Sequence, residues 1–219
     1  MYWQETWHLK PMIASPIMHG SLAVSVEPES PITDANLWAW FRTDKDLTDN
    51  GAPDYYIGNS SNPWLDQSGN GRHLNCNIGQ KTQRVIADIN GKDSVKFLDG
   101  TFSFMLQNNI DAGLRDLVQP WTIYLLMKAR SWGNARYIFD SYPIELRGSM
   151  AQTNVTPRIY ARANLGGNEM TPPAVGTWHI VSHTYDSTNS VGQINNETEV
   201  TSNVGTANPS GFLFGDYLS

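Results

Sequence analysis

The chain has 219 residues, of which 40% are hydrophobic and 16% charged, and its formal net charge is −6. This length fits one large all-β domain or two small domains, and it is enough to bury a substantial core. The sequence has no basic stripe, which argues against nucleic-acid binding. It also has no run approaching the ~20 apolar residues of a membrane span.

Residues 1–32 are predicted to form an extended arm and linker. Their first part, MYWQETWHLKPMIASPIMHG, is aromatic and methionine-rich, is interrupted by Pro11 and Pro16, and has no clean periodicity. It also lacks the basic start and apolar run of a secretory signal, so we expect the chain to fold in a reducing cytoplasm. An arm this apolar is expected to pack on its own domain or on a neighbouring subunit.

After the arm the chain is a series of short, strand-like runs separated by turn signals. LWAWFRT at 37–43 and WTIYLLMKARS at 121–131 both alternate between two faces. Hairpin turns are predicted at Asn90-Gly91 and around Asn195-Asn196. Further strands are predicted at 93–99, 135–142, 144–148, 157–165 and 177–186, whereas only DAGLRDLV at 111–118 looks helical. Many short strands with regular turns indicate a β-sandwich or barrel.

Cys76 is the only cysteine, which excludes an internal disulfide framework and a cysteine-based zinc site. We expect it to be a small buried hydrophobic residue. His179 and His183, in HIVSH, would lie ~13 Å apart along one face of a strand, so a shared zinc site is not expected. One of these histidines is a candidate to line a surface groove.

The segment WLDQSGNGRHL at 64–74 is interpreted as a tight structural corner. Its glycines can take a positive φ, and Asp66 and Ser68 can accept backbone N–H bonds inside the loop. Trp64 is expected to hold the loop against the core. The alternative is a ligand loop, in which Asp66 or Asn70 contacts calcium or a sugar.

Several motifs, taken in order, resemble the concanavalin A-like lectin/glucanase superfamily: LWAWFRTDKDL, WLDQSGNGRHL, INGKDSVKFLDG, PWTIYLLMKA and GTWHIVSHTYD. More narrowly, they look like the LamG-like jelly-roll domains of bacteriophage virion proteins and bacterial surface proteins. The resemblance covers about residues 34–215. It implies an all-β fold, a two-sheet antiparallel jelly-roll sandwich over residues 33–219 with an extended N-terminal arm. In that superfamily the concave face and its rim loops often bind glycans, sometimes with Ca²⁺.

Glycosidases of this superfamily carry three acids in the pattern E-x-D-x-E on one strand. The nearest match here is NETEV, in which Glu197 and Glu199 lack the third acid and stand beside a predicted turn. They are therefore expected to be solvated turn charges, and no catalytic residue is predicted. The weak calcium candidates are Asp44, Asp46 and Asp49 in TDKDLTDNG, which offers hard oxygens but departs from the EF-hand pattern. No other cofactor is expected.

Aromatic side chains could stack on sugar rings, although core packing is the alternative for each of them. Trp132, beside Gly133 and Asn134, is the best loop candidate. The candidate glycan-binding residues are Trp132, Asn134, Tyr160, Asp66 and Asn70.

The sequence and the resemblance together predict a non-enzymatic phage virion protein, a capsid decoration protein or a fibre or tail appendage. It is expected to be made in the host cytoplasm and exposed on the particle, with its arm contacting other virion proteins. A homo-oligomer is expected, with a trimer implied by the resemblance, and a host-surface glycan is a further candidate partner. The alternatives are a bacterial carbohydrate-binding module and, with less support, a glycosidase of the same fold.

Overall fold

The computed structural model describes residues 37–43, 63–75, 82–97, 103–107, 117–132, 136–141, 149–153, 158–164, 167–171, 174–209 and 211–216. The predicted arm at 1–32, Cys76 and the strand predicted at 144–148 lie outside these residues. Of the predicted helix at 111–118, only the last two residues are described, and they are not helical. No described helix is long and apolar enough to cross a membrane.

The regular secondary structure of the described chain is β-strand, apart from one 3-10 turn at Ser187–Asn189. Its strands are β1 (Thr82–Ile89), β2 (Lys92–Phe97), β3 (Ser103–Gln107), β4 (Trp121–Lys128), β5 (Arg136–Ser141), β6 (Ser149–Thr153), β7 (Arg158–Arg162), β8 (Asn168–Met170), β9 (Trp178–Tyr185), β10 (Ser190–Ile194), β11 (Val200–Ser202) and β12 (Phe212–Asp216). All their pairings are antiparallel. The prediction of an all-β chain is confirmed.

These strands form three sheets. β1 and β2 make a two-stranded hairpin, a second sheet has the order β11-β10-β9-β4, and a third has the order β3-β12-β5-β6-β7-β8. The turn at Asn90-Gly91 joins β1 to β2 with φ of 48° and 74°, the left-handed pair that a tight hairpin requires. β10 and β11 flank the predicted turn at Asn195, so both hairpin predictions are confirmed.

The prediction of a strand at 37–43 is wrong. This segment makes only an isolated bridge, between Phe41 and Asp66. Its backbone is held by side chains instead, because Asn70 and Arg72 donate to the carbonyl oxygen of Trp38. Carbonyl groups engaged in this way are not available to a neighbouring strand.

One hydrophobic core contains side chains from both the four-stranded and the six-stranded sheet. Trp121 of β4 stacks on Tyr185 of β9, with ring centroids 4.0 Å apart and planes 13° from parallel. Phe139 of β5 and Phe212 of β12 pack against Trp121 from the other sheet. Burial and the nearby charge of Asp140 raise the pKa of Tyr185 far above its ordinary value.

A smaller cluster surrounds the buried side chain of Leu74. Phe41, Trp64, Val95 and Phe97 pack against it, and the Phe41 and Trp64 rings lie 5.5 Å apart. The expectation that Trp64 holds its loop against apolar side chains is therefore confirmed, and the loop has its own small core beside the main one.

Candidate functional site

The loop at 64–74 is built around the carboxylate of Asp66, which is buried. Its Oδ1 accepts the backbone N–H groups of Trp40 and Ser68, each at 2.9 Å. Its Oδ2 accepts the Ser68 hydroxyl at 2.8 Å and the Arg72 backbone N–H at 3.1 Å. Both carboxylate oxygens therefore have two protein donors each.

The ionised form of Asp66 is the one that this loop stabilises. Burial alone would raise the pKa of the carboxyl, but the hydrogen bonds from Trp40, Ser68 and Arg72 outweigh that effect and lower it below its usual value. With its oxygens engaged by the protein, Asp66 has a structural role, and the interpretation of this segment as a structural corner fits its geometry.

Asn70 and Arg72 connect this loop to the segment at 37–40. The Asn70 amide nitrogen donates to the carbonyl oxygens of Leu37 at 2.8 Å and Trp38 at 3.1 Å. The Arg72 guanidinium donates to the Trp38 carbonyl at 2.6 Å and lies 4.4 Å from the centre of its ring. Asn70 is exposed, yet its amide is already used within the protein.

The two aromatic glycan candidates, Trp132 and Tyr160, are half-buried rather than openly exposed. Trp132 is half-buried and packs against the main core. Tyr160 is half-buried in β7, paired opposite Glu169 of β8, and its ring occupies the space that a side chain at Gly167 would need. Asn134 lies outside the described residues.

His183 is fully buried, so of the two histidines only His179 remains a candidate to line a surface groove. It points into the core because β9 buries alternate residues from Val181 to Tyr185. Desolvation lowers the pKa of His183 to about 4, so the ring is neutral at physiological pH. His179 is half-buried instead, and its Nδ1 lies 2.9 Å from the amide nitrogen of Asn195.

A cavity of about 460 Å³ lies beside the β10–β11 hairpin. Glu197 lines it, and both Glu197 and Glu199 are exposed. In the described part of the chain no three His, Cys, Asp or Glu side chains are grouped to hold a metal ion. The calcium candidates Asp44, Asp46 and Asp49 lie outside that part.

The outer face of the four-stranded sheet carries a group of exposed apolar side chains that the sequence analysis did not select. Tyr124 is 64% exposed, Leu126 is 56% exposed and Ile180 is 54% exposed. Leu126 stands directly opposite Ile180 in the pairing of β4 with β9, and Tyr124 lies two residues from Leu126 on the same face. We call these three residues the outer-face patch.

Polar contacts border the outer-face patch at both ends of β4. At one end the Thr122 and Thr184 hydroxyls lie 2.9 Å apart. At the other end Lys128 binds Asp88 at 2.5 Å and lies 4.8 Å from the Trp178 ring. The hydrogen bond from Lys128 holds the pKa of Asp88 below its usual value. Apolar side chains ringed by polar groups are typical of a protein–protein contact.

A signal for this patch was present in the sequence. In WTIYLLMK both faces of the strand carry apolar or aromatic residues from Ile123 to Met127, whereas a half-buried strand alternates apolar with polar residues. Comparison of the chain with protein-family models, with curated proteins and with solved structures finds no match.

Proposed function

We propose that this chain is a non-enzymatic structural protein of a phage particle, a capsid decoration protein or a fibre or tail appendage. In this proposal it is a LamG-like jelly roll that joins other particle proteins through the outer face of its four-stranded sheet. Binding of a host-surface glycan is a secondary role, and the predicted arm at 1–32 is a second attachment point.

The outer-face patch is the observation that carries the proposal. Its three large side chains are each more than half exposed and adjacent on one sheet. Exposed apolar side chains that cluster, rather than being scattered singly, mark interaction surfaces. Burying each of these side chains in a contact contributes on the order of 1 kcal/mol. A single contact of this size is weak, so it suits an assembly in which the same contact is repeated many times.

The fold supports the jelly-roll part of the proposal. Two antiparallel sheets share one core, and the strands of each sheet are drawn from distant parts of the sequence: β12 pairs with both β3 and β5. Crossovers of this kind are expected in a jelly roll. The assignment to phage particles rests on the resemblance of the motifs, which is an argument by analogy.

The non-enzymatic part of the proposal rests on the acids of NETEV. Glu197 and Glu199 are exposed beside a turn, and the third acid of the glycosidase pattern is missing. The pattern that places an acid and a base or nucleophile around one glycosidic bond is therefore incomplete in this chain.

The test is to purify particles of the phage that encodes the chain, quantify their proteins by mass spectrometry and label intact particles with antibody. We expect a fixed copy number per particle and accessible antibody epitopes. Leu126→Lys should lower the copy number. Val175→Lys should not, although it also places a lysine at an exposed apolar position, because Val175 (51% exposed) lies outside the patch. Absence of the chain from purified particles would refute the proposal.

A second candidate function, a carbohydrate-binding module, is favoured by the cavity beside the β10–β11 hairpin. Its apolar side chains are Met170, Ile194 and Val200, and its polar ones are Thr171, Gln193, Glu197 and Thr198. A mixed lining suits the apolar face and the hydroxyl groups of a sugar. Binding on a glycan array that disappears in Glu197→Ala, but persists in Glu199→Ala, would favour this candidate; no binding by the unaltered chain would remove it.

A further inference from the structure

β4 is at one end of the four-stranded sheet. On one side it pairs with β9 over its whole length, from Trp121 opposite Tyr185 to Lys128 opposite Trp178. On the other side no described strand pairs with it. A strand in this position presents a row of backbone N–H and C=O groups that can pair with another chain.

The sequence of β4 itself also lacks the residues that often block such an edge. Its sequence, WTIYLLMK, has no proline and no charge before Lys128, and its register with β9 is continuous over eight residues. The terminal Lys128 is engaged by Asp88. The opposite edge of the same sheet, β11, is only three residues long, and short edge strands resist pairing.

The side chains of β4 are complementary to a second β4 running in the opposite direction. Residues that face each other in an antiparallel pair point to the same side of the sheet, so Tyr124 can stand opposite Tyr124 or Leu126 of a second copy. A two-fold axis at Leu125 places Tyr124 opposite Leu126 twice, whereas an axis at Tyr124 leaves Leu126 opposite Thr122. The first register therefore makes the larger apolar contact.

With the axis at Leu125 the two outer-face patches become one continuous stripe. Across the joined sheets, Ile180 and Leu126 of one copy are followed by Tyr124 of the second copy. The two-fold axis repeats this row in the opposite direction. Aromatic–aliphatic pairs across strands contribute roughly 0.2–1 kcal/mol each, in addition to the backbone hydrogen bonds between the strands. Lys128 stands opposite Thr122 of the second copy, so no like charges meet.

We propose that two copies of this chain join through β4 into one eight-stranded antiparallel sheet. The inference goes beyond the proposed function: the edge of β4 joins the two copies, and the joined outer-face patches remain exposed for other particle proteins. An edge that pairs with its own copy closes after two chains. A trimer, which the resemblance implies, needs a different surface.

The test is the mass in solution of the full chain, measured by light scattering at micromolar concentration. The unaltered chain should have twice the 24.5 kDa of one copy. Leu126→Lys and Tyr124→Glu should each give the mass of one copy, because each puts two uncompensated charges into the contact. Val175→Lys should keep the double mass.

The double variant Tyr124→Glu/Leu126→Lys distinguishes this register from a general loss of apolar surface. In the proposed pair, Glu at position 124 faces Lys at position 126 of the second copy, twice, so the double mass should return. This restored pair should dissociate in high salt, which screens the charges, whereas the unaltered pair should not.

Three results would overturn the inference: the mass of one copy for the unaltered chain, the double mass for both Leu126→Lys and Tyr124→Glu, or the mass of one copy for the double variant. None of them bears on whether the chain is present in phage particles. Conversely, a chain that pairs as described but is absent from particles would refute the proposed function and leave the pairing intact.

Discussion

The loop at 64–74 and the outer face of the four-stranded sheet differ in how far the protein itself uses their side chains. In the loop, both oxygens of Asp66 and the amide of Asn70 already have partners within the chain. On the outer face, the large apolar side chains of Tyr124, Leu126 and Ile180 are mostly exposed. A conspicuous polar motif can thus be structural, while an ordinary strand leaves large apolar side chains exposed.

Removing Asp66 should have the largest effect. Asp66→Ala leaves four donors without their acceptor, three in the loop and one at Trp40, so we expect the free energy of unfolding to fall by about 3–5 kcal/mol. Urea unfolding followed by tryptophan fluorescence measures this loss. Glu199→Ala removes an exposed acid and is the control, with an expected change within about 0.5 kcal/mol. A loss below about 1 kcal/mol for Asp66→Ala would show that the loop does not depend on its carboxylate.

The second-largest effect is expected at low pH, through His183 on the buried face of the four-stranded sheet. The folded pKa of His183 is lowered to about 4 from an ordinary 6.5, so below pH 6.5 the unfolded chain binds a proton that the folded chain excludes. The stabilisation is complete above pH 6.5 and is lost as the pH falls towards 4, by on the order of 3 kcal/mol in total.

The measurement for His183 is urea unfolding at intervals between pH 7 and 4.5. Whatever the stability of His183→Leu at neutral pH, it should no longer fall over this range. The lowered pKa of Asp66 affects stability only at lower pH, because the contribution of an ionised carboxyl is lost as the pH falls below its ordinary pKa near 4. If the free energy of unfolding of His183→Leu fell with pH as steeply as that of the unaltered chain, the loss could not be assigned to His183.

A smaller effect is expected from the loop backbone. Gly69 has a φ of +85° and open space around the position of a Cβ atom. Gly69→Ala should therefore cost about 1 kcal/mol through backbone strain alone, and Gly69→Asn less, because Asn tolerates this conformation better. Equal unfolding midpoints for the glycine and alanine proteins would show that the loop adapts freely.

The smallest effect on stability is expected at the outer-face patch. Leu126→Lys should change the free energy of unfolding by less than about 0.5 kcal/mol in solution dilute enough to keep the chains apart. The long stem of lysine can lie along the sheet while its charge stays in water. A loss above about 1 kcal/mol would make Leu126 part of the packing of a single chain and would remove the contrast with Asp66.

Much of the fold could be predicted from local pattern. The alternation in 177–186 and 121–131 predicted β9 and β4, because a period of two places one set of side chains on the buried face. Asn90-Gly91 predicted its hairpin, because both residues accept the positive φ that the turn requires. The failure at 37–43 has a physical cause: the loop at 64–74, distant in sequence, uses the backbone groups that a strand would have paired.

The class of the fold, the hairpins and the bonding capacity of the loop follow from the sequence, because they depend on residues that are neighbours in the chain. Which face of β9 is buried, and hence that His183 is in the core, follows only from the folded molecule. So does the position of β4 at the end of its sheet, with Leu126 beside Ile180. Both depend on which strands pair across long sequence separations, and alternation along one strand does not contain that information.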